Sequence, residues 1–236
     1  MNLYGVIGAG GLGREVAPLA RHTIPALHGA DSNFEVVFVV EDAFFSPQPA
    51  INGRRLLSMS QFLNATASKR QYTVAIGNSE IRERIVNSIP PDLAQPFSVV
   101  AQNHVSLENN ILGEGAILCS FTHITSNTKI GRFFHANIYS YVAHDCVIGD
   151  FVTLAPGVMC NGHVQIEDHA YIGAGAVIKD GTQKPIIIGH GAVVGMGAVV
   201  TKSVPPGAVV LGNPARLREL QHSGTALSNQ QSNKVE

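Results

Sequence analysis

From Ile130 to Ile178 an apolar or small residue falls on every sixth position: Ile130, Ala136, Val142, Ile148, Leu154, Cys160, Ile166, Ile172 and Ile178. The position two before each beat is mostly small or β-branched (Thr128, Ser140, Cys146, Val152, Val158, Val164, Ala170, Ala176), and glycine follows the beat at Gly131, Gly149 and Gly173. After an interruption at 180–185 the beat resumes at Ile188, Val194 and Val200. A helix buries residues at spacings of three and four, so a period of six cannot build one. A fully buried parallel strand would run apolar without regular corners. The pattern predicts a solenoid of very short strands that turns a corner in every hexad and sends one side chain per flat side inward. Weaker beats at Val105, Ile111 and Ile117, joined through a one-residue slip around His123 and Ile124, extend it over about 101–205.

The first hundred residues keep a different rhythm. Leu3 to Ile7 is an apolar strand entering Gly8-Ala9-Gly10-Gly11-Leu12-Gly13, after which Arg14 to Arg21 reads as a helix. A second strand, Glu35 to Val40, ends at Glu41 and Asp42, and a third, Tyr72 to Ile76, ends at Gly77-Asn78. Glu80 to Ile89 reads as an amphipathic helix with Ile81, Ile85 and Ile89 on one face, and Pro90, Pro91 and Pro96 then break the pattern. These signals divide the chain into an α/β domain over 1–98, a solenoid domain over 99–220 and a tail over 221–236 whose Ser, Asn and Gln content reads as disorder.

The glycine loop is the first candidate for chemistry. Gly8, Gly10, Gly11 and Gly13 permit a tight turn and close backbone approach, and the helix that follows presents unpaired N–H groups to an anion. Gly8, Gly10 and Gly13 also satisfy GxGxxG, with an acidic pair, Glu41 and Asp42, about 28 positions on, which is the dinucleotide fingerprint. A complete dinucleotide fold needs two mononucleotide halves, and this domain has room for little more than one. Glu41 and Asp42, at a strand end, are placed to accept hydrogen bonds from ribose or sugar hydroxyls, and Asn78, after the third strand, is a further candidate for the substrate site.

Composition narrows the classes of function. A net charge near −1 and a pI near 6.8 leave no electrostatic footprint for nucleic acid or anionic membrane. The opening MNLYGVIGAGG reads as strand and loop and lacks the basic flank of a signal peptide, and Cys119, Cys146 and Cys160 read as reduced packing residues, so the expected location is cytoplasmic.

Hexads of the form apolar, Gly, x, x, small, x resemble the left-handed parallel β-helix of hexapeptide acyltransferases. The two-part layout, the glycine loop and the stretch Val74-Ala75-Ile76-Gly77-Asn78-Ser79-Glu80-Ile81-Arg82 resemble one branch of that family. This branch comprises the sialic acid O-acetyltransferase-like proteins and the enzymes that acetylate nucleotide-linked 4-amino sugars. The resemblance implies a Rossmann-like domain for the nucleotide-linked sugar and a β-helix that trimerises. Acetyl-coenzyme A would lie in the groove between subunits, and no metal would be needed. His144 lies two places after a buried beat, so it should point outward, and an imidazole, with an ordinary pKa near 6.5, can take the proton that an acceptor loses as it attacks a thioester. The branch motif of His followed by an acidic residue makes His144 the base and Asp145 its orienting partner, and Asn137 falls on a position that shapes the acetyl site. Gly162 matches the position whose amide faces the thioester carbonyl. Amides near Ala174 would bind the pantetheine arm, and Asn213-Pro214 would lie near the coenzyme A nucleotide.

Two residues depart from the branch: Leu12 and Thr153 stand where several relatives carry His. His104, His123, His135, His163, His169 and His190 read as solvated corner residues whose spacings form no compact metal set. The expected activity is N-acetylation of the 4-amino group of a UDP- or dTDP-amino-dideoxysugar in surface glycan synthesis, with sugar O-acetylation as the same-class alternative. A non-catalytic NAD-binding protein is the alternative from another class.

Overall fold

The computed structural model describes residues 1–29, 33–47 and 50–218, so the stretch read as a disordered tail lies outside the described residues. The first domain runs β1 (Asn2–Ile7), α1 (Gly11–His28), β2 (Phe34–Val40), β3 (Leu56–Ser58), α2 (Met59–Leu63), β4 (Arg70–Val74), α3 (Ser79–Ser88) and β5 (Gln95–Pro96). Its parallel sheet has the order β3-β2-β1-β4-β5. Chain direction across the sheet therefore reverses between β1 and β4, which sets the glycine loop beside the Gly77-Asn78 loop at the carboxyl ends of adjacent strands. In such sheets this is where ligands bind. Contact between the two loops is close enough that a Cβ on Gly8 would meet the Ala75 carbonyl oxygen at 2.8 Å.

Both faces of the sheet are covered. Val16, Ala17, Ala20 and Ile24 of α1 pack with Tyr4, Val6 and Phe38 on one side. On the other, Phe62 and Ile85 pack with Leu3, Ile7, Val37 and Val39. This buried α1 face repeats at helical spacing beyond Arg21, and the helix continues through Pro18 and Pro25 to His28. The third predicted strand starts earlier than expected, at Arg70, and Ala75 and Ile76 belong to the loop. In α3 the expected apolar face is shifted: Ile85 is buried, Ile81 is 39% exposed, and Arg82 takes the inward place.

The second domain is a left-handed parallel β-helix that begins two residues after β5, at β6 (Val99–Val100), and reaches β23 (Val209–Leu211). Its rungs form three sheets of eight, six and five strands, parallel throughout except for the last strand of the eight. Partners step by 18 residues, as in Lys129↔Val147, His135↔Thr153 and Tyr141↔Met159, so three hexads make one coil. The beats from Leu118 through Ile130, Leu154 and Ile178 to Val200 fill the interior with the small residues that precede them. One corner residue per hexad takes a left-handed backbone, without a break from Asn109 through Gly115, Phe121, Asn127, Phe133, Tyr139, Asp145, Phe151, Gly157, His163 and His169 to Gly175. Glycine, Asn and Asp accept this region readily, but the four aromatic corners are outliers. They are held by stacking along the edges, with ring centroids of Phe133–Phe151 at 5.5 Å and Phe121–Tyr139 at 5.0 Å.

The expected slip at His123 and Ile124 does not occur. The interior register runs straight from Leu118 to Ile124 and Ile130, while Val105 and Ile111 are 39% and 62% exposed. Ile117 is buried because it points out of the coil, into the cluster built by α1 and β1. The solenoid also outruns the expected 101–205 at both ends. Gln165 pairs with Ile187, a step of 22, so 180–185 is a loop that adds four residues without disturbing the stack. The final coil is closed by the antiparallel β24 (Arg216–Leu217) on β23, by a Val204 bridge to Ile188, and by backbone bonds of Val199 with Gly212 and Ala215.

Candidate active site

The corner that follows the six-stranded sheet carries Asn127, Asp145 and His163 one above another, 18 residues apart. The left-handed turn at Asp145 folds its carboxylate back over the preceding residue, and His144 Nδ1–H donates to Asp145 Oδ2 at 2.8 Å. This hydrogen bond, reinforced by the nearby imidazoles, holds the Asp145 carboxyl below the usual carboxylate range. With Nδ1 as donor, Nε2 keeps its lone pair and is the atom able to accept a proton. The His144 side chain is 51% exposed, open to an acceptor from outside the coil.

Gly162, one coil further on, lies against this ring. A Cβ there would stand 2.5 Å from His144 Cε1 and 2.9 Å from Nε2, so any other residue would displace the imidazole. Among the described residues the Gly162 amide bonds to no backbone carbonyl, while its own carbonyl accepts from Gly181 N–H at 2.8 Å. A free N–H beside a basic nitrogen is the arrangement that a developing oxyanion needs. His163, expected as a bystander, belongs to the cluster: its Nε2 is 3.6 Å from Asp145 Oδ2, and its ring meets that of His144 edge-on with centroids 5.2 Å apart.

The other predicted residues occupy other edges of the prism. Asn137 follows β12 (His135–Ala136), and its Nδ2 donates to the Leu154 carbonyl at 3.0 Å. A whole strand, β13 (Tyr141–Val142), separates it from His144. Ala174, exposed, and the cis-linked Asn213-Pro214 also follow strands of the eight-stranded sheet and share Asn137's edge. Within one chain, then, the base with Gly162 and the predicted acetyl-site residues stand on neighbouring edges.

The third edge faces the first domain. A cavity of about 1100 Å³ opens there between Gly77, Asn78, Ser79 and the β-helix residues Thr153, His169 and His190. Asn78 also caps α3, its Oδ1 accepting from Ile81 N–H at 2.8 Å. Gly10 and Gly11 have open space where a side chain would be, whereas a Cβ on Gly13 would fall 1.8 Å from the Gly8 carbonyl oxygen. Glu41 is held by Arg84 through bonds of 2.6 and 3.0 Å, and Asp42 accepts from Ser60 N–H and Oγ–H at 3.2 and 2.8 Å. Both carboxyls are lowered, by the Arg84 bond in Glu41 and by hydroxyl bonds from Ser58 and Ser60 in Asp42.

Beneath this cavity lies a residue that sequence reasoning missed. Arg82 is fully buried and reaches from α3 into the β-helix, donating to the carbonyls of Ile76 and Phe151 and, at 3.2 Å, to Thr153 Oγ1. Burial pushes its guanidinium down to about 9, so it remains a cation at neutral pH. His135, read as a solvated corner residue, is fully buried beside it, with Nδ1 3.4 Å from Arg82 Nη1. Burial, then the Arg82 charge, drives its pKa well below the ordinary value. His169 is likewise mostly covered, stacked on Phe151 at 5.3 Å. Thr153, noted above as a departure from the branch pattern, thus serves the Arg82 cluster.

A model of the PglD N-terminal domain matches residues 5–89, and a model of the hexapeptide repeat of succinyl-transferase matches residues 163–202. The chain is 51% identical over 228 residues to the GDP-perosamine N-acetyltransferase of Escherichia coli O157:H7, spanning 96% of this chain and all of that protein. Among solved structures, WeeI from Acinetobacter baumannii AYE aligns with a TM-score of 0.85 and 52% identity, over 92% of this chain and 100% of that one. The acetyltransferase domain of PglB from Neisseria gonorrhoeae FA1090, solved with acetyl coenzyme A, aligns with a TM-score of 0.78 and 29% identity over 92% and 98% of the two chains. Solenoid, glycine-loop domain, site geometry and full-length similarity agree: this chain belongs to the hexapeptide-repeat sugar acetyltransferases of the nucleotide amino-sugar N-acetyltransferase branch.

Proposed function

We propose that the protein transfers an acetyl group from acetyl-coenzyme A to the amine of a nucleotide-linked amino sugar with His144 as general base. The observation that carries this reading is the juxtaposition of His144 Nε2, the Asp145 carboxylate on Nδ1 and the bare backbone of Gly162. The amine lone pair attacks the thioester carbonyl, and the carbonyl oxygen takes up negative charge facing the Gly162 N–H. His144 Nε2 accepts the proton shed by nitrogen. As the C–S bond breaks, the imidazolium returns that proton to the departing thiolate. Asp145 favours the charged ring, and the base contributes about 10²–10⁴-fold. The chemistry needs no metal.

The sugar nucleotide is assigned to the 1100 Å³ crevice beside Asn78, with its phosphates at Gly10 and Gly11, where the backbone is open. Full-length identity to an enzyme named for GDP-perosamine favours GDP over the UDP and dTDP carriers expected from the sequence. A second cavity, of about 890 Å³, lies along the 180–185 loop with Lys179, Lys184 and Lys202 on its wall, a cationic lining suited to the phosphates of coenzyme A. Because the candidate residues stand on three edges of one prism, we infer a homotrimer whose intersubunit grooves bring an edge of one chain to the next edge of its neighbour. No helix among the described residues is long and apolar enough to cross a membrane, and a cytoplasmic role in surface glycan synthesis fits both cosubstrates.

The test is chromatographic detection of acetylated product from acetyl-coenzyme A across GDP-, UDP- and dTDP-4-amino sugars. Expected are turnover of the GDP sugar and its loss by 10²-fold or more in His144→Ala. Unchanged turnover in that variant would remove the base assignment. A rise in melting temperature with NAD and not with any amino-sugar nucleotide would favour the dinucleotide reading. Mixing His144→Ala chains with Asn137→Ala chains should restore part of the activity if neighbouring chains complete each site.

A further inference from the structure

We propose that His144, Asp145 and His163 form a binding site for a divalent transition metal ion such as Zn²⁺, and that occupancy silences the enzyme. The proposal rests, for its second half, on His144 being the base. One ligand atom from each of the three side chains lies within 4.8 Å of the other two. The measured edges are 2.8 Å from His144 Nδ1 to Asp145 Oδ2 and 3.6 Å from His163 Nε2 to the same oxygen. Tetrahedral Zn²⁺ with ligands near 2.0–2.1 Å requires edges of about 3.3 Å, so these two edges lie within about half an ångström of the requirement, and the imidazole–imidazole edge, no longer than 4.8 Å, closes by movement of two half-exposed rings. All three side chains are between about one third and one half exposed, which leaves a solvent molecule as fourth ligand.

The surrounding hydrogen bonds prepare His163 for a cation. Thr182 Oγ–H donates to the Asp180 carboxylate, and Thr182 N–H donates to it at 2.7 Å. With its proton committed, Thr182 Oγ can only accept from His163, whose Nδ1 lies 3.2 Å away. Nδ1 is therefore the protonated nitrogen of the neutral ring, and the Nε2 lone pair points toward Asp145, an acceptor facing an acceptor. A proton or a metal ion resolves that mismatch. The arrangement of metal-facing nitrogen, opposite N–H, and an oxygen relay to a carboxylate is the outer shell that metal-binding histidines use. It is supplied by the four-residue insertion at 180–185.

Silencing follows from the tautomer. In the ion-free state the His144 proton sits on Nδ1, bound to Asp145, and Nε2 is the base. A metal on Nδ1 requires that proton to move to Nε2 or leave, and a neutral ring carrying it on Nε2 has no lone pair for an acceptor amine. The ion takes Asp145 as well, so both members of the pair are withdrawn together.

The experiment uses tag-free, chelator-treated full chain and Co²⁺ as the optical probe. Visible d–d bands saturating at one Co²⁺ per chain, displaced by Zn²⁺, are expected. They should vanish in His163→Asn, chosen because Asn tolerates the left-handed backbone at 163. Thr182→Val should weaken binding about 10-fold. Product formation, followed chromatographically because free thiols bind Zn²⁺, should fall with Zn²⁺ and recover with EDTA. The inhibiting concentration should rise at least 10-fold in His163→Asn, each variant being compared with its own metal-free rate. Absent bands, or bands indifferent to His163→Asn, would overturn the site while leaving the base assignment standing. Binding without inhibition at saturating Zn²⁺ would keep the site and overturn both the silencing and the base assignment beneath it.

Discussion

Replacing Gly13 with Ala separates two roles that the glycine loop combines. The added Cβ would stand 1.8 Å from the Gly8 carbonyl oxygen and 2.9 Å from its carbon. Ordinary contact is above 3 Å and the obstacle is backbone, so the start of α1 must retreat by more than 1 Å from the end of β1. That start anchors Val16, Ala17 and Ala20, all completely buried against the sheet. Overpacking of this kind costs about 1–3 kcal/mol and occasionally more, and at about 2–4 °C per kcal/mol for a chain of this size the melting temperature should drop by about 2–12 °C. Gly11→Ala is the control. It meets nothing within 4 Å and lies at the first position of α1, so the fold should be unchanged or gain up to about 1 kcal/mol. If phosphates sit at the open end of the loop, Gly11→Ala should instead raise KM for the nucleotide sugar. Thermal unfolding by circular dichroism at fixed protein concentration, with KM measured on the same samples, reads both effects. A Gly13→Ala protein melting within 1 °C of the parent would refute the packing argument.

Three further outcomes are expected. Gly162→Ala should lower kcat at least 10-fold with little change in melting temperature, since it displaces a half-exposed ring rather than core; equal losses in both would point to a structural role. Arg82→Lys keeps the buried cation but cannot serve the Ile76 and Phe151 carbonyls together, so unfolding free energy from urea titration should fall by about 1–3 kcal/mol, and an unchanged midpoint would argue against the clamp. Glu35 and Glu41 have carboxyls lowered by hydrogen bonds from Arg55 and Arg84. A depressed acid binds fewer protons folded than unfolded, so its contribution is present above the ordinary carboxylate range and is lost as pH falls below it. The urea midpoint should therefore decline from pH 5 to pH 3, and less steeply in the Glu35→Gln/Glu41→Gln double variant; a decline of equal slope would exclude the two pairs.

What could be read from the chain and what could not has a common cause. Each hexad buries one beat residue at one place, so the beat from Ile130 to Ile178 gives the solenoid directly, and a coil of three hexads puts His144 and Gly162 on adjacent rungs by their numbers alone. Where a second domain intrudes, the pattern misleads. Ile117 looks like a beat because α1 covers the outside of the coil there, and that false beat produces a slip that does not exist. Arg82 is illegible because a charge on a helix normally marks the solvent side, and its burial is made tolerable by the Phe151 carbonyl and Thr153 hydroxyl of the other domain together with the Ile76 carbonyl of its own. His163 escapes notice because its partners come from an insertion, Asp180 and Thr182, whose path no periodicity describes. The short β3 and β5 carry too few residues to form a pattern.

The closure of the last coil decides something other than catalysis. A stack of parallel rungs has no intrinsic end, since each finished coil offers the unpaired N–H and C=O groups on which another chain could continue. Val204 answers the five-stranded sheet, Gly212 and Ala215 answer the six-stranded one, and the reversed strand Arg216–Leu217 answers the eight-stranded one. These few residues, which touch neither His144 nor the sugar crevice, make the solenoid a finite object and keep it from becoming the seed of a fibre.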